Sequence, residues 1–268
     1  MKELKALVLT GYGLNCDIET AYACELAGAI ADRVHINDVI RPGFPLDEYS
    51  IMVFTGGFSW GDDHGAGVIQ AVRMKKNAGD RILRFVEDGN LILGICNGFQ
   101  TIVNMGLLPG FDGNYTSRRL ALTYNDSGNF VDQWVNLAVN PDSPCVFTQG
   151  MDAIELPVRH GEGKLAADDA VINRLEEENQ VVCRYALADG SSAAGKFPEN
   201  PNGSINDIAG ICDPSGRIFG LMPHPEGFNH PTNHPDWCRK KANRQENAGF
   251  SQTGISIFEN AVKWLQGR

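Results

Sequence analysis

A cysteine flanked at two-residue spacing by glycines, Gly94-Ile95-Cys96-Asn97-Gly98, follows the apolar run Leu91-Ile92-Leu93 and leads into a helix-like stretch over residues 98–108. A strand, then Gly-x-Cys-x-Gly, then a helix is the pattern of a nucleophile elbow, in which small residues on either side permit the sharp turn that presents the central side chain. A helix N-terminus behind the sulfur favours thiolate, the reactive form. The backbone N–H of Asn97 would face the same point, where an oxyanion develops after attack. Without that context Cys96 is only a small apolar residue at a strand end.

A nucleophilic thiol needs an imidazole to take its proton and a carboxylate to fix the imidazole tautomer. Met222-Pro223-His224-Pro225-Glu226 offers both at two-residue spacing, just after an apparent strand over residues 217–221. The prolines restrict the backbone, and alternate side chains of an extended segment project to one side. His160, in Arg159-His160-Gly161-Glu162-Gly163, repeats the His-x-Glu spacing and competes as the base; its preferred reading is a residue that shapes the substrate pocket. His35 reads as packing, and His64 lies in a Gly/Asp loop. His230 and His234, with His224, invite a metal reading, but no carboxylate or thiolate recurs with them at a zinc spacing, so no metal is expected.

The third element is Phe54-Thr55-Gly56-Gly57-Phe58-Ser59-Trp60-Gly61-Asp62, again after an apolar run. A Gly-Gly turn there can aim a backbone N–H at the thiol, which makes Gly57 the second expected oxyanion donor; the bland alternative is a glycine-rich turn and nothing more. Gly11-Tyr12-Gly13-Leu14 lacks the third glycine and the acidic residue of a dinucleotide fingerprint, and that reading is rejected.

These residues must be positioned by a scaffold, and the chain supplies a legible one. Strand-like and helix-like stretches alternate three times: residues 5–9 then 17–28, 50–54 then 67–74, and 90–95 then 98–108. That alternation predicts an α/β fold with an open, mostly parallel central sheet flanked by helices, in which ligands bind at the carboxyl ends of the strands. Residues 134–139, 154–158 and 180–185 read as strands without long helices between them, an added antiparallel portion. Residues 189–207 and 227–254 read as long loops and residues 256–266 as a packing helix. With no repeat and no linker, residues 1–268 are expected to form a single domain.

Composition narrows the function classes. The chain has 268 residues, 43% of them hydrophobic, with Asp+Glu 33 against Lys+Arg 23 and a formal charge of −10. Such a surface repels phosphate backbones and anionic lipid, which argues against nucleic-acid and membrane partners. No signal peptide and no spanning segment are read. Seven scattered cysteines without CxxC spacing suggest neither a disulfide framework nor a zinc cluster, and the expected location is the cytoplasm.

Taken together, Gly56-Gly57, the run from Gly94 to Gln100 and His224-Pro225-Glu226 resemble the class I (triad) glutamine amidotransferases, whose fold is flavodoxin-like. The resemblance is narrowest to the glutaminase subunits of phosphoribosylformylglycinamidine synthase. It rests further on Gly106-Leu107-Leu108-Pro109-Gly110, His160-Gly161-Glu162-Gly163, Asn200-Pro201-Asn202-Gly203-Ser204 and Asn206-Asp207-Ile208-Ala209-Gly210-Ile211. It implies that Cys96 attacks the side-chain amide of glutamine and passes through a γ-glutamyl thioester, with His224 as base and acid, Glu226 behind it, and Gln100 touching the substrate. It also implies a docked synthetase subunit that receives the ammonia and carries ATP and Mg2+, possible company from a small accessory subunit, and no cofactor on this chain. Departures stand at Asp63-His64-Gly65, where the family has Tyr-Leu-Arg, at residues 9–13, which lack Pro-Gly, and in a longer tail after Gly227. The alternatives are a stand-alone Cys-His-Glu amide hydrolase, an amidotransferase serving another acceptor, and a binding subunit whose thiol is structural.

Overall fold

The computed structural model describes residues 3–242 and 252–267. Its centre is a nine-stranded sheet. In chain order the elements are β1 (Lys5–Thr10), α1 (Asp17–Leu26), β2 (Ile30–His35), α2 (Ile36–Val39), β3 (Ile51–Phe54), α3 (Val68–Glu87), β4 (Leu91–Ile95) and α4 (Asn97–Met105). There follow β5 (Ala121–Tyr124), β6 (Val131–Val139), β7 (Ala153–His160), β8 (Glu162–Ala166), α5 (Asp169–Glu177), β9 (Val181–Ala186), β10 (Ile208–Cys212), β11 (Ile218–Leu221), α6 (Trp237–Ala242) and α7 (Ile255–Gln266).

The large sheet has the order β2-β1-β3-β4-β11-β10-β9-β6-β7, and β5 pairs with β8 in a separate two-stranded ribbon. Strands β2, β1, β3, β4 and β11 run parallel. From β11 outward through β10, β9, β6 and β7 every pairing is antiparallel. The antiparallel portion expected from the middle of the chain is therefore continuous with the parallel block. All residues of β3, β4 and β11 are buried, as strands covered on both faces by helices must be.

Strand β11 decides the geometry of the site. It returns from late in the chain to lie parallel beside β4, with Gly94 opposite Gly220 and Ile95 opposite Leu221. The segments that leave the carboxyl ends of these two strands start side by side, one carrying Cys96 and the other His224. Gly220 is required at that register because a Cβ there would come within 2.0 Å of the Phe99 ring of α4.

Several elements lie outside the sequence reading. Helix α3 continues from the expected residues 67–74 to Glu87: its second half buries Ala78, Ile82, Phe85 and Val86 at helical spacing, with Lys75, Lys76, Asp80 and Arg81 interspersed. Helix α5 interrupts the middle region and buries only Ile172 and Leu175, too small a stripe to stand out. The loop over residues 227–254 contains α6, and its residues 243–251 lie outside the described part.

Candidate active site

Cys96 sits at the end of β4 with φ 52 and ψ −109, a backbone conformation that is costly for a non-glycine residue. The turn is enforced from both sides. Cys96 N–H donates to Leu221 O at 2.9 Å, and Gln100 N–H donates to Cys96 O at 3.0 Å as α4 begins. The flanking glycines are needed because the turn is crowded. A Cβ on Gly94 would lie 2.7 Å from Ile102 Cδ1 and 2.9 Å from Gly98 O, and one on Gly98 would lie 1.9 Å from Phe54 O. The Sγ of Cys96 lies 3.7 Å from Arg159 O, at the end of β7.

His224 and Glu226 lie three and five residues past the end of β11. His224 N–H donates to Pro157 O at 2.8 Å, which fixes the segment against β7, and a 3-10 turn over Pro225–Gly227 swings the carboxylate back. His224 Nδ1 and Glu226 Oε1 are 2.6 Å apart, with both side chains 2% exposed. Burial pushes an imidazolium down, but the Glu226 carboxylate, with help from Cys96 and Cys16, outweighs it and holds His224 well above the ordinary imidazole range. Cys96 and His224 leave the adjacent ends of β4 and β11 and both reach β7, at Arg159 O and Pro157 O. His224 Nε2 is buried without a hydrogen-bond partner among the described residues. In the neutral ring, with the proton on Nδ1 facing Glu226, Nε2 has the lone pair that accepts a proton from a thiol, and Glu226 stabilises the imidazolium that results.

Gly57 has φ 139, and a Cβ on it would come within 2.6 Å of Gly13 O. Leu14 and Gly57 form an isolated bridge, whose hydrogen bonds run from Asn15 N to Gly56 O and from Phe58 N to Gly13 O. The N–H of Gly57 itself takes no part in that bridge. Gly56 must also lack a side chain, because a Cβ would sit 2.8 Å from His224 Cε1 and 3.3 Å from Cys16 Sγ. The Gly-Gly pair is thus the wall against which the imidazole rests.

Gln100, one turn into α4, is buried and donates through Nε2 to Glu162 O. His160 does not pair with Glu162. Its Nδ1 lies 3.1 Å from Asn125 Oδ1, its Nε2 is buried without a partner among the described residues, and burial pushes its pKa down to about 3, so the ring is neutral. A neutral, carboxylate-free imidazole is a poorer base than His224. The Glu162 carboxylate instead accepts Ala66 N–H at 3.2 Å. It faces Asp62, whose pKa burial and the Glu162 charge push up to about 6 against the 2.8 Å hydrogen bond donated by Asn97 Nδ2.

The remaining four histidines are accounted for elsewhere in the fold. His35 caps α2, His64 is exposed, and His230 caps a 3-10 turn. His234 is buried with Nε2 2.9 Å from Glu155 Oε1 and is not near a shared ligand position with His224. Two contributors escape the sequence reading. Cys16, there only one of seven scattered cysteines, lies 4.0 Å from His224 Nδ1, and Asn125 holds His160. Both are brought in by non-local pairing, and no spacing signal in the sequence marks them.

A model of the CobB/CobQ-like glutamine amidotransferase domain matches residues 3–265. The phosphoribosylformylglycinamidine synthase subunit PurQ of Dehalococcoides mccartyi is 49% identical over 268 residues, 99% of each chain, so the match runs through the tail after Gly227. The PurQ subunit of Methanococcus maripaludis is 44% identical over 97% of each chain. Among solved structures, a chain of PurLQS from Thermotoga maritima superposes with a TM-score of 0.70 at 30% identity, covering 98% of this chain and 99% of that one. A glutamine amidotransferase of Thermotoga maritima shares the fold alone, at 15% identity and a TM-score of 0.53, covering 100% of this chain and 94% of that one. Matched along nearly its whole length, with the elbow, the Gly-Gly turn and the His-Glu pair in place, the chain belongs to the CobB/CobQ-like glutamine amidotransferase domain family and, within it, to the PurQ subunits of phosphoribosylformylglycinamidine synthase.

Proposed function

We propose that this chain is the glutaminase of a phosphoribosylformylglycinamidine synthase, hydrolysing glutamine to glutamate and ammonia and handing the ammonia to an ATP-dependent synthetase subunit for purine biosynthesis. The observation that carries the chemistry is Cys96 held at φ 52 where β4 meets α4, beside an imidazole paired at 2.6 Å with a buried carboxylate. The relatives named PurQ and the PurLQS neighbour support the choice of pathway and partner.

In this reading His224 Nε2 takes the Cys96 proton and the thiolate attacks the δ-carbon of glutamine. The developing oxyanion is met by the N–H groups of Gly57 and Asn97. The His224 imidazolium, stabilised by Glu226, protonates the departing nitrogen; ammonia leaves and a γ-glutamyl thioester remains. His224 then takes a proton from water, hydroxide attacks the thioester carbonyl, and glutamate departs as the sulfur recovers its proton. Gln100 and His160 wall the substrate pocket. ATP and Mg2+ act on the synthetase partner, with a small accessory subunit completing the assembly.

The nine-stranded sheet, whose strands are drawn from both ends of residues 5–221, supports a single domain over residues 1–268. All seven cysteines are unpaired, which fits the reducing cytoplasm, and no helix among the described residues is long and apolar enough to cross a membrane. The test is glutamate release from glutamine with and without a synthetase partner. Loss of turnover in Cys96→Ala and His224→Ala is expected; full turnover in either variant overturns the reading.

A further inference from the structure

Behind the His224 ring, on the side away from its free nitrogen, the structure gathers three groups that the glutaminase chemistry does not use together. Cys16 Sγ lies 4.0 Å from His224 Nδ1, and Glu226 Oε1 lies 2.6 Å from the same nitrogen. One ligand atom from each of Cys16, His224 and Glu226 falls within a 4.8 Å span, and all three residues are buried. Glu226 is 1% exposed, and its second oxygen, Oε2, is buried without a hydrogen-bond partner among the described residues. An unpaired buried carboxylate oxygen is costly, and a cation is what relieves it.

We propose that Cys16, His224 Nδ1 and Glu226 form a binding site for a thiophilic divalent cation of the Zn2+ class, and that its occupation switches the glutaminase off. The donor set of one thiolate, one imidazole and one carboxylate is a borderline-soft set suited to Zn2+, and three protein ligands leave the fourth position to water. With metal–sulfur bonds of about 2.3 Å and metal–nitrogen and metal–oxygen bonds of about 2.0 Å, tetrahedral S and N ligands stand about 3.5 Å apart and N and O ligands about 3.3 Å. Cys16 and His224 need to close by about 0.5 Å, while the Nδ1 to Oε1 contact opens by about 0.7 Å. Gly56 leaves the room, since a Cβ there would meet both the Cys16 sulfur and the His224 ring. Cys16 is the N-cap of α1, outside the sheet, so its side chain can turn without breaking a strand pairing.

The proton balance explains the inhibition. Binding releases the Cys16 thiol proton to solvent: from the neutral imidazole the Nδ1 proton moves to Nε2 as the metal takes its place and the charge of the site rises by one, whereas from the imidazolium that Glu226 favours the Nδ1 proton also leaves to solvent and the charge is unchanged. Nε2 then carries a hydrogen and has no lone pair for the Cys96 proton.

The inhibition arm rests on the proposed role of His224 as base; the binding arm does not. The experiment therefore uses the full chain, reduced and metal-free, carrying Cys96→Ala and Cys238→Ala to remove the nucleophile and the exposed thiol, and titrates Co2+ as a spectroscopic stand-in for Zn2+. A thiolate-to-cobalt band in the near ultraviolet that saturates at one equivalent, with release of at least one proton, is expected. Adding Cys16→Ala should abolish the band and weaken binding more than about 100-fold, and Cys16→Ser, which retains a polar group, should lose the band as well. A band that survives both substitutions, or the absence of a stoichiometric band in the parent, overturns the site. In otherwise unsubstituted enzyme, Zn2+ inhibition measured against each protein's own metal-free rate should weaken by a similar factor in Cys16→Ser. If the band depends on Cys16 but Zn2+ leaves turnover untouched, the switch falls while the metal site stands.

Discussion

At the scale of single residues the site is built from groups held where they cost stability. Glu226 is a buried carboxylate whose charge is balanced by the imidazolium it favours, so its role is electrostatic as well as orienting. Glu226→Gln keeps the volume and an oxygen for Nδ1 but removes the charge; kcat for glutamine should fall about 10²–10⁴-fold with KM little changed, by steady-state kinetics of the partner-activated enzyme. Asp62 gives the corresponding cost in stability. Its folded-state pKa of about 6 exceeds the carboxylate's ordinary value of 3.8, so the folded protein holds a proton between roughly pH 4 and 6 that the unfolded chain releases. Stability from this group is thus lost as pH rises through that window and stays lost above it. Asp62→Asn retains an acceptor for Asn97 Nδ2 and should raise Tm at pH 7.5, an advantage that shrinks to nothing near pH 4. A variant no more stable than the parent at pH 7.5 would show that the Asp62 charge is not strained.

At the scale of elements, local preference and tertiary contact oppose each other at the elbow. Gly98 opens α4, and Gly→Ala in a helix ordinarily gains about 1 kcal/mol. Here the new Cβ would stand 1.9 Å from Phe54 O, a backbone atom of β3 that cannot step aside. Overpacking outweighs propensity: Gly98→Ala should lose about 2 kcal/mol or more in urea unfolding, together with activity, because the shift is transmitted to Cys96. Gly79, inside α3 with nothing near its missing Cβ, is the matched control, and Gly79→Ala should gain about 0.5–1 kcal/mol. Equal effects at the two sites would refute the crowding argument.

For the whole molecule the surface around the active site is unusual for a chain of this charge. Phe58 and Phe130 are about half exposed with ring centroids 6.1 Å apart; they adjoin Gly57 and Gly161, the turns beside the thiol. Tyr12, also exposed, packs on Trp60 next to them. An apolar rim around the mouth suits a partner that seals it and keeps ammonia from water. Phe130→Ser should change stability by less than about 1 kcal/mol, since the ring is exposed, yet cut synthetase-coupled activity while leaving the catalytic residues untouched. Sedimentation of the complex and coupled amidine formation measure the two effects; unaltered assembly and coupling would place the docking surface elsewhere.

The sequence alone determined the local grammar of this protein. Cys96 between its glycines, the Gly56-Gly57 turn and the His224-Glu226 spacing are legible because each depends on a few consecutive residues, and the strands that precede them are continuous apolar runs. Helix α5 and the second half of α3 were not legible, since their buried stripes are narrow and interleaved with charge. Only the tertiary structure decided that β11 lies beside β4, which brings residues 96 and 224 to one edge. It also placed Cys16 behind the imidazole, took Glu162 away from His160, and joined the antiparallel strands to the parallel block. Each of these outcomes is a pairing between distant parts of the chain, set by the burial of whole strand faces rather than by any pattern within a window of sequence.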